Sequence, residues 1–256
     1  MANKWTSKPP LGTQIIPSWR TDPQYLKLWL LFQEGGGGTA YDLSGNRNHG
    51  TLTNMANPPT AVSGWTGKGL SFDGVNDCVI TSNIIPSAGT ISLWFNKSGS
   101  GRIITNEVGV GVEDLQIRAT ETGVSVLVGN AVKSIAVGTL GWHHIAMYYY
   151  TDGVVKQYHD TYLDGIYQGR ATSNVTNLVS ASVLRFGQSL VSAYTPFNGL
   201  IDDVRIYNRA LSAGEVRALY LQSYCMFPKT KISSQMFNTI PQIPRPLLDY
   251  GRQPIY

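Results

Sequence analysis

Residues 200–207 follow the apolar and polar alternation of a strand that packs one face on a core and exposes the other to water. With a period of two, Leu200, Asp202, Val204 and Ile206 share a face. We expect that face to point inward. The segment therefore predicts a half-buried strand with a carboxylate on its inner side.

A short helix is predicted directly after this strand. Ser212 has the position of an N-cap, and Glu215, three residues later, completes a capping box. Leu211 can pack on Val216 as a hydrophobic staple. We expect this helix to cover one edge of the fold with its apolar stripe, Val216, Leu219 and Tyr220.

Further strands follow from apolar and β-branched runs between turn signals. The best-defined runs cover residues 90–96, 124–128, 142–150 and 183–187. Asp73-Gly74, Asp152-Gly153 and Asp164-Gly165 have the composition of tight hairpin turns. Together these segments predict two antiparallel sheets packed face to face.

Four segments in a fixed order resemble the laminin-G-like, concanavalin A-like lectin/glucanase jelly-roll family. They are WLLFQEGGGGTAYDLSGNRNHGTL from position 29, GKGLSFDGVNDCVI from 67, WHHIAMYYYTDG with YLDGIYQG in the centre, and FNGLIDDVRIYNRALSAGEVRALY from 197. The resemblance covers residues 26–224 and implies an all-β jelly-roll sandwich. Cys78 departs from it, because the family commonly carries an aromatic residue at that position.

The composition of the 256 residues agrees with one large β-sandwich that carries appendages. Only 14% are charged, whereas 14 are Tyr and 27 are Gly, as expected for short strands joined by tight turns. The two cysteines, Cys78 and Cys225, are expected to be free thiols, although a bridge between them stays open. We expect neither a membrane span nor a secretory signal at the start of the sequence.

Proline and charge distinguish two terminal arms, residues 1–24 and 225–256, from the sandwich at 25–224. The N-terminal arm carries a net charge of +2 and the C-terminal arm +3, so about −1 remains for the sandwich out of the total of +4. Five prolines in the C-terminal arm prevent both a helix and a central strand, and the arms are expected to be extended.

Apolar side chains recur along both arms, unlike the composition of a disordered tail. Either the arms fold back on their own sandwich or they dock on neighbouring subunits, and we favour docking. The residues expected to bind such partners are Trp5, Ile15, Trp19, Phe227, Phe237, Ile240, Leu247, Tyr250 and Tyr256.

Carboxylates and histidines do not form a recognisable catalytic pattern. Glu107 and Glu113 have the even spacing of a shared strand face, yet no carboxylate lies between them. Asp202 and Asp203 are adjacent and should point to opposite faces. His143 and His144 follow Trp142 in a strand, so one of them should face the core. We therefore expect no enzyme, with a glycoside hydrolase kept as an alternative.

A structural calcium ion is the one cofactor that the sequence suggests. Family members often hold such an ion near their entry and exit strands. Asp42 and Asn46 lie in an oxygen-rich glycine loop and, with the inward Asp202, form the predicted ligand set. The alternative is that backbone amides or an arginine hold Asp202 and that the asparagines make turns. Asp73 and Asp77 are expected to form a turn.

Binding of surface glycans would use exposed aromatic rings, and the sequence assigns no residues to such a site. Three consecutive tyrosines, Tyr148, Tyr149 and Tyr150, place at least one ring on the outward face of their strand. Packing within the sheet is the alternative. Nucleic-acid binding is not expected, since the basic residues are dispersed in the arms.

These features favour a non-enzymatic structural or adhesive protein. The leading hypothesis is a bacteriophage virion component, a capsid decoration or tail accessory protein, which displays its sandwich on the virion surface and is oligomeric in the assembly. Its arms would bind capsid or tail subunits. The alternative is a carbohydrate-binding or adhesion module of a cellular protein, located outside the cell or at its surface.

Overall fold

The computed structural model describes ten stretches of the chain: residues 24–34, 36–55, 61–63, 68–82, 84–109, 112–138, 141–151, 156–174, 183–189 and 194–222. All of them belong to the first of two structural units, Met1–Cys225, and the second unit, Met226–Tyr256, lies outside them. The predicted arm residues, from Trp5 to Trp19 and from Phe227 to Tyr256, therefore also lie outside the described residues, and so does Cys225.

Strands dominate the described residues, as the sequence predicted. The elements in chain order are β1 (Leu26–Leu30), β2 (Thr39–Ala40), β3 (Gly50–Thr53), β4 (Ala61–Ser63), β5 (Lys68–Asp73), β6 (Cys78–Ser82), β7 (Gly89–Lys97), β8 (Gly101–Gly109), β9 (Val112–Ala119), β10 (Gly123–Val128), β11 (Ala131–Ala136), β12 (His143–Thr151), β13 (Gln157–Leu163), β14 (Ile166–Ser173), β15 (Val183–Phe186), β16 (Asn198–Tyr207) and α1 (Ala213–Gln222). All five predicted strands and the predicted helix are confirmed to within a few residues.

The strands form two antiparallel sheets of eight strands each. Sheet A has the order β14-β13-β12-β7-β16-β5-β4, with β1 also paired to β16. Sheet B has the order β11-β10-β9-β8-β15-β6-β3-β2. Neighbours in each sheet are often distant in sequence, as β16 beside β7 shows, which is the jelly-roll arrangement predicted from the sequence.

The core lies between the inner faces of the two sheets. Alternate residues of each strand contribute to it, as the pleat requires. In β12 these are Ile145, Met147 and Tyr149, all fully buried. The hydroxyl of Tyr149 donates to the carbonyl of Pro86 at 3.0 Å, so burial leaves this polar atom paired.

Two of the three predicted hairpin turns can be tested. Asp164-Gly165 joins β13 to β14 with positive φ at both residues, the geometry of a type I′ turn, and is confirmed. The hairpin predicted at Asp73-Gly74 is wrong, because β5 and β6 do not pair with each other: β5 belongs to sheet A and β6 to sheet B. Asp73 Oδ1 instead accepts from the amide of Val75, and this turn carries the chain from one sheet to the other. Asp152-Gly153 lies outside the described residues.

The regular alternation predicted for β16 is wrong, because a β-bulge interrupts the strand between Asp202 and Arg205. Ile201 and Val204 both enter the core, so the alternation changes phase between them. Asp202 lies opposite Trp94 in the register, on the face that points away from the core. It is nevertheless fully buried, and the inward position expected for it is wrong.

Helix α1 begins with the predicted capping box. Ser212 Oγ accepts from the amide of Glu215 at 3.3 Å, and Glu215 Oε2 accepts from the amide of Ser212 at 2.8 Å. Val216 and Leu219 are buried, and the ring of Tyr220 stacks on Trp94. The helix thus covers part of the outer face of sheet A. None of the helices in the described part of the chain is long and apolar enough to cross a membrane.

Candidate ligand-binding face

Three neighbouring strands at one end of sheet A place tyrosines on a common outer face. The core takes alternate residues of β12, so the residues between them point outward. The register then places Tyr158 opposite Tyr150, and Tyr162 opposite Tyr167. We call this surface the tyrosine face, and its members are Tyr148, Tyr150, Tyr158, Tyr162 and Tyr167.

The rings of the tyrosine face pack against one another. Tyr148 and Tyr150 stack with centroids 4.9 Å apart, and Tyr150 stacks on Tyr158 at 5.1 Å, both with nearly parallel planes. Tyr162 and Tyr167 form a tilted pair at 5.3 Å. Such ring pairs stabilise the arrangement and hold the rings in fixed positions.

A charged pair lies in the middle of the tyrosine face. Arg170 donates through Nε and Nη2 to the two oxygens of Asp160, both at 2.9 Å. Its guanidinium lies 5.5 Å from the centroid of Tyr150 and 5.8 Å from that of Tyr158. The hydroxyl of Tyr167 also donates to Asp160, at 3.0 Å. The pair therefore fixes rings from three strands relative to one another.

The electrostatics of this face keep Asp160 ionised beside Tyr148 and Tyr150. Burial alone would raise the pKa of Asp160, but the hydrogen bonds from Arg170 and Tyr167 outweigh it and hold that pKa below its usual value. Partial burial raises the pKa of Tyr148 and Tyr150. The phenols of Tyr148 and Tyr150 thus remain protonated at neutral pH and can both donate and accept hydrogen bonds.

Three of the four histidines bind partners beside α1 or in the core, and the fourth accepts from a loop amide. His144 is buried and pairs with Ser92 through Nε2 at 2.8 Å, while His143 pairs with Asp164 at 2.9 Å. His159 lies fully buried against Thr161. His144 is thus the member of the predicted pair that is buried, although it packs under α1 and outside the central core.

The predicted calcium ligand Asp42 is saturated by donors from its own loop and from β1. Oδ1 accepts from the amides of Trp29 and Ser44, and Oδ2 accepts from Ser44 Oγ and the amide of Asn48, all within 2.8–2.9 Å. A carboxylate offers about four acceptor positions, and all four are used. Asp42 thus caps its own loop and ties it to β1.

The other predicted calcium ligands also have protein partners. Asn46 donates through its side-chain amide to the carbonyl of Leu26 at 2.7 Å, which links the loop to β1, and to Ser44 Oγ within the loop at 3.0 Å. Asp202 Oδ1 accepts from the amide of Asp203 at 2.7 Å. Within the described stretches, no group of three or more His, Cys, Asp or Glu residues could hold a metal ion. A calcium ion at Asp42, Asn46 and Asp202 stays a prediction.

The acidic residues considered for catalysis lie on two paired strands or bind other residues. Glu107 and Glu113 lie on β8 and β9, where the register places them directly opposite each other, and not on one strand. Asp203 is buried and binds Arg205 through both oxygens, at 2.8 and 3.0 Å. Asp77 accepts from the amide of Asp73, which gives these two residues the expected turn role.

Comparison with known proteins identifies the family. Residues 72–217, more than half of the chain, match the family described as the concanavalin A-like lectin/glucanases superfamily. The chain belongs to this superfamily. No curated protein matches the sequence.

One solved domain of similar fold is matched by this chain over almost its whole length. Domain 4 of AbnA, a GH43 extracellular arabinanase from Geobacillus stearothermophilus in complex with arabinotriose, has a TM-score of 0.60 and 19% identity. The match covers 77% of this chain and 99% of that one. At this identity the likeness shows the concanavalin A-like fold alone.

Other similar structures are larger than the matched region. A Trypanosoma rangeli sialidase in complex with 2,3-difluorosialic acid has a TM-score of 0.60 at 17% identity, with 77% of this chain and 32% of that one covered. The binding domain of Paraclostridial Mosquitocidal Protein 1 gives 0.56 at 16%, with 77% and 52% covered. This chain therefore spans about a third and about a half of these two proteins.

The sequence found only part of the tyrosine face of this concanavalin A-like module. The prediction that Tyr148–Tyr150 must send a ring outward is confirmed, since Tyr149 is buried and its two neighbours are not. Tyr158, Asp160 and Tyr162 were missed, although they alternate in QYHDTYL and so share one face of β13. The place of Arg170 on this face could not be predicted from the sequence, because it depends on the pairing of β13 with β14, which puts Arg170 opposite Asp160.

Proposed function

We propose that this chain is a non-enzymatic glycan-binding module and that the tyrosine face is its binding surface. The observation that carries the proposal is the continuous set of five tyrosines around Asp160 and Arg170, on strands that form one end of a sheet. Aromatic rings pack against the apolar faces of sugars, and a carboxylate beside a guanidinium can bind their hydroxyls.

Two further facts support this proposal. Tyrosine and arginine are the side chains enriched where proteins bind partners, whereas a water-facing sheet surface needs no cluster of five phenols. Domain 4 of the arabinanase AbnA, similar over 99% of its length, was solved in complex with arabinotriose. We transfer from it only the class of ligand, a neutral oligosaccharide.

A glycan array followed by calorimetry tests the proposal. Tyr158→Ala removes the ring that stacks on Tyr150 and lies beside Arg170, and it should weaken binding of the best glycan roughly tenfold, equivalent to about 1.4 kcal/mol. Tyr41→Ala is the matched control, because Tyr41 is an exposed tyrosine beside sheet B and should leave affinity unchanged. Equal losses in both variants, or an array without any binder, would contradict the proposal.

The absence of catalysis is part of the same proposal and has its own assay. Release of reducing ends from the glycan that binds best should not exceed the rate without protein. If turnover appears and is lost in Glu107→Gln or Glu113→Gln, the glycosidase alternative replaces this part of the proposal.

The bacteriophage virion role remains a prediction about the setting of the module. It depends on the terminal arms, and neither the fold nor the compared proteins favour a virion over a cell surface. Deleting residues 225–256 tests it in particles. Normal incorporation of the shortened protein would remove the proposed anchoring of the module by the C-terminal arm.

A further inference from the structure

Helix α1 contacts the turn that joins β13 to β14. The ring of Tyr220 lies against Gly165, where an added Cβ would be only 3.1 Å from Cδ1 of that ring. The same ring stacks on Trp94 of β7, with centroids 5.5 Å apart and planes 18° from parallel. Because Gly165 has no side chain, an aromatic ring held by β7 can rest directly on the backbone of the turn.

Strand β12 holds the first residue of the same turn. Asp164 Oδ1 accepts from the amide of His144 at 2.8 Å, and the amide of Asp164 donates to the carbonyl of His144 at 2.8 Å. Asp164 Oδ2 pairs with His143 at 2.9 Å. These bonds fix the side of the turn that follows β13, whereas β14 begins only after the second turn residue, Gly165.

The first residues of β14 have less support of their own. Ile166 and Tyr167 pair with Leu163 and Tyr162 of β13, and the register shifts directly beyond these two pairs. Among the described strands of sheet A, β14 is the last, so none pairs with its other side. Ile166 is 60% exposed and Tyr167 51%, so burial of their own side chains holds them weakly. Their position therefore depends on the turn that precedes them.

Tyr167 connects this part of β14 to the charged pair of the tyrosine face. Its ring packs on Tyr162 at 5.3 Å, and its hydroxyl donates to Asp160 at 3.0 Å. A displacement of Tyr167 by about 1 Å would break that hydrogen bond, because such bonds are lost beyond about 3.5 Å. Asp160 would then keep only its bonds to Arg170 among the contacts of this face.

We propose that Tyr220 is a positioning residue of the tyrosine face. Its ring, stacked on Trp94, holds the turn at Gly165, and the turn in turn fixes Tyr167 beside Asp160. Tyr220 itself lies on α1 and is not a member of the face. The consequence for ligand binding rests on the function proposed above, whereas the consequence for the geometry of the face does not.

NMR of the full chain tests the positioning role directly. Tyr220→Ala should raise hydrogen exchange of the Ile166 amide about tenfold and weaken the contacts between the rings of Tyr162 and Tyr167. Tyr220→Phe keeps the ring and should behave as the wild type does. Leu221→Ala is the matched control, because it removes an exposed side chain from the same helix and should change neither signal.

The amide of Val126 separates this local effect from a loss of global stability. Val126 is fully buried in β10 of sheet B, and its exchange should rise less than that of Ile166 in Tyr220→Ala. If this variant does not fold, Tyr220→Leu keeps an apolar side chain at the position and allows the same comparison. Unchanged exchange at Ile166, or an equal rise at Val126, would overturn the proposal.

Calorimetry on the same proteins measures the consequence for binding. With the glycan that the wild type binds best, Tyr220→Ala should bind about fivefold more weakly, and Tyr220→Phe and Leu221→Ala should stay within about twofold of the wild type. Unchanged affinity in Tyr220→Ala would show that Tyr220 does not position the binding surface. A wild type that binds no glycan would contradict the proposed function alone, and the exchange measurements would still decide the role of Tyr220.

Discussion

Arg205 is a charged residue whose burial is compensated by a carboxylate and an aromatic ring. Its side chain is 1% exposed, it binds both oxygens of Asp203, and its guanidinium lies 5.0 Å from the centroid of the Trp29 ring. Trp29 Nε1 donates to the same carboxylate at 2.9 Å. Asp203 reaches both partners because the bulge gives it a φ of 47°, which aspartate tolerates better than most residues.

His159 should make stability depend on pH in the acid range. Burial lowers its pKa from 6.5 to about 4. Between these values the unfolded chain holds a proton on this histidine and the folded chain does not, so stability falls as the pH decreases through that window. The shift corresponds to a loss of about 3 kcal/mol by its lower end.

Urea denaturation at pH 7 and pH 5 measures this effect. The wild type should lose more stability on acidification than His159→Gln, since that variant has no group to protonate. Identical losses in both proteins would show that His159 does not titrate as its burial requires.

At the scale of elements, local sequence signals predicted structure correctly where the interacting residues lie close together in the chain. The capping box of α1 and the type I′ turn at Asp164-Gly165 each involve residues within a few positions of one another. The turn at Asp73-Gly74 has similar local chemistry and joins two different sheets. Turn composition therefore predicted a reversal of the chain but could not predict the strand with which the chain then pairs.

Removing the cap of α1 should destabilise the fold modestly. Ser212→Ala deletes the oxygen that accepts from the amide of Glu215, and the expected cost is about 1 kcal/mol in the free energy of unfolding. Ser87→Ala is the control, because Ser87 is exposed in a bend. Chemical denaturation of both variants measures the difference, and equal stabilities would show that the capping box contributes nothing.

At the scale of the whole molecule, the two sheets approach so closely that Gly187 has no room for a side chain. Its φ is +86°, and a Cβ there would lie 2.1 Å from Cδ1 of Phe72, across the interface between sheet B and sheet A. Gly187→Ala should therefore cost about 3 kcal/mol through overpacking and backbone strain.

Thermal and urea unfolding test this expectation against a matched glycine. Gly138→Ala adds the same methyl group where no atom lies within 4 Å, and its stability should stay within about 0.5 kcal/mol of the wild type. Similar stabilities for Gly187→Ala and Gly138→Ala would mean that the sheets can separate at Phe72 without penalty.

The sequence by itself determined the fold class, the positions of the best-defined strands and the cap of α1, because alternation and capping are local properties that a linear pattern records. Only the tertiary structure decided the bulge that moves Asp202 out of the core face, the saturation of Asp42, and the meeting of Tyr158, Asp160 and Arg170 on one surface. These depend on register between strands, and a shift of one residue moves a side chain to the other face of its sheet.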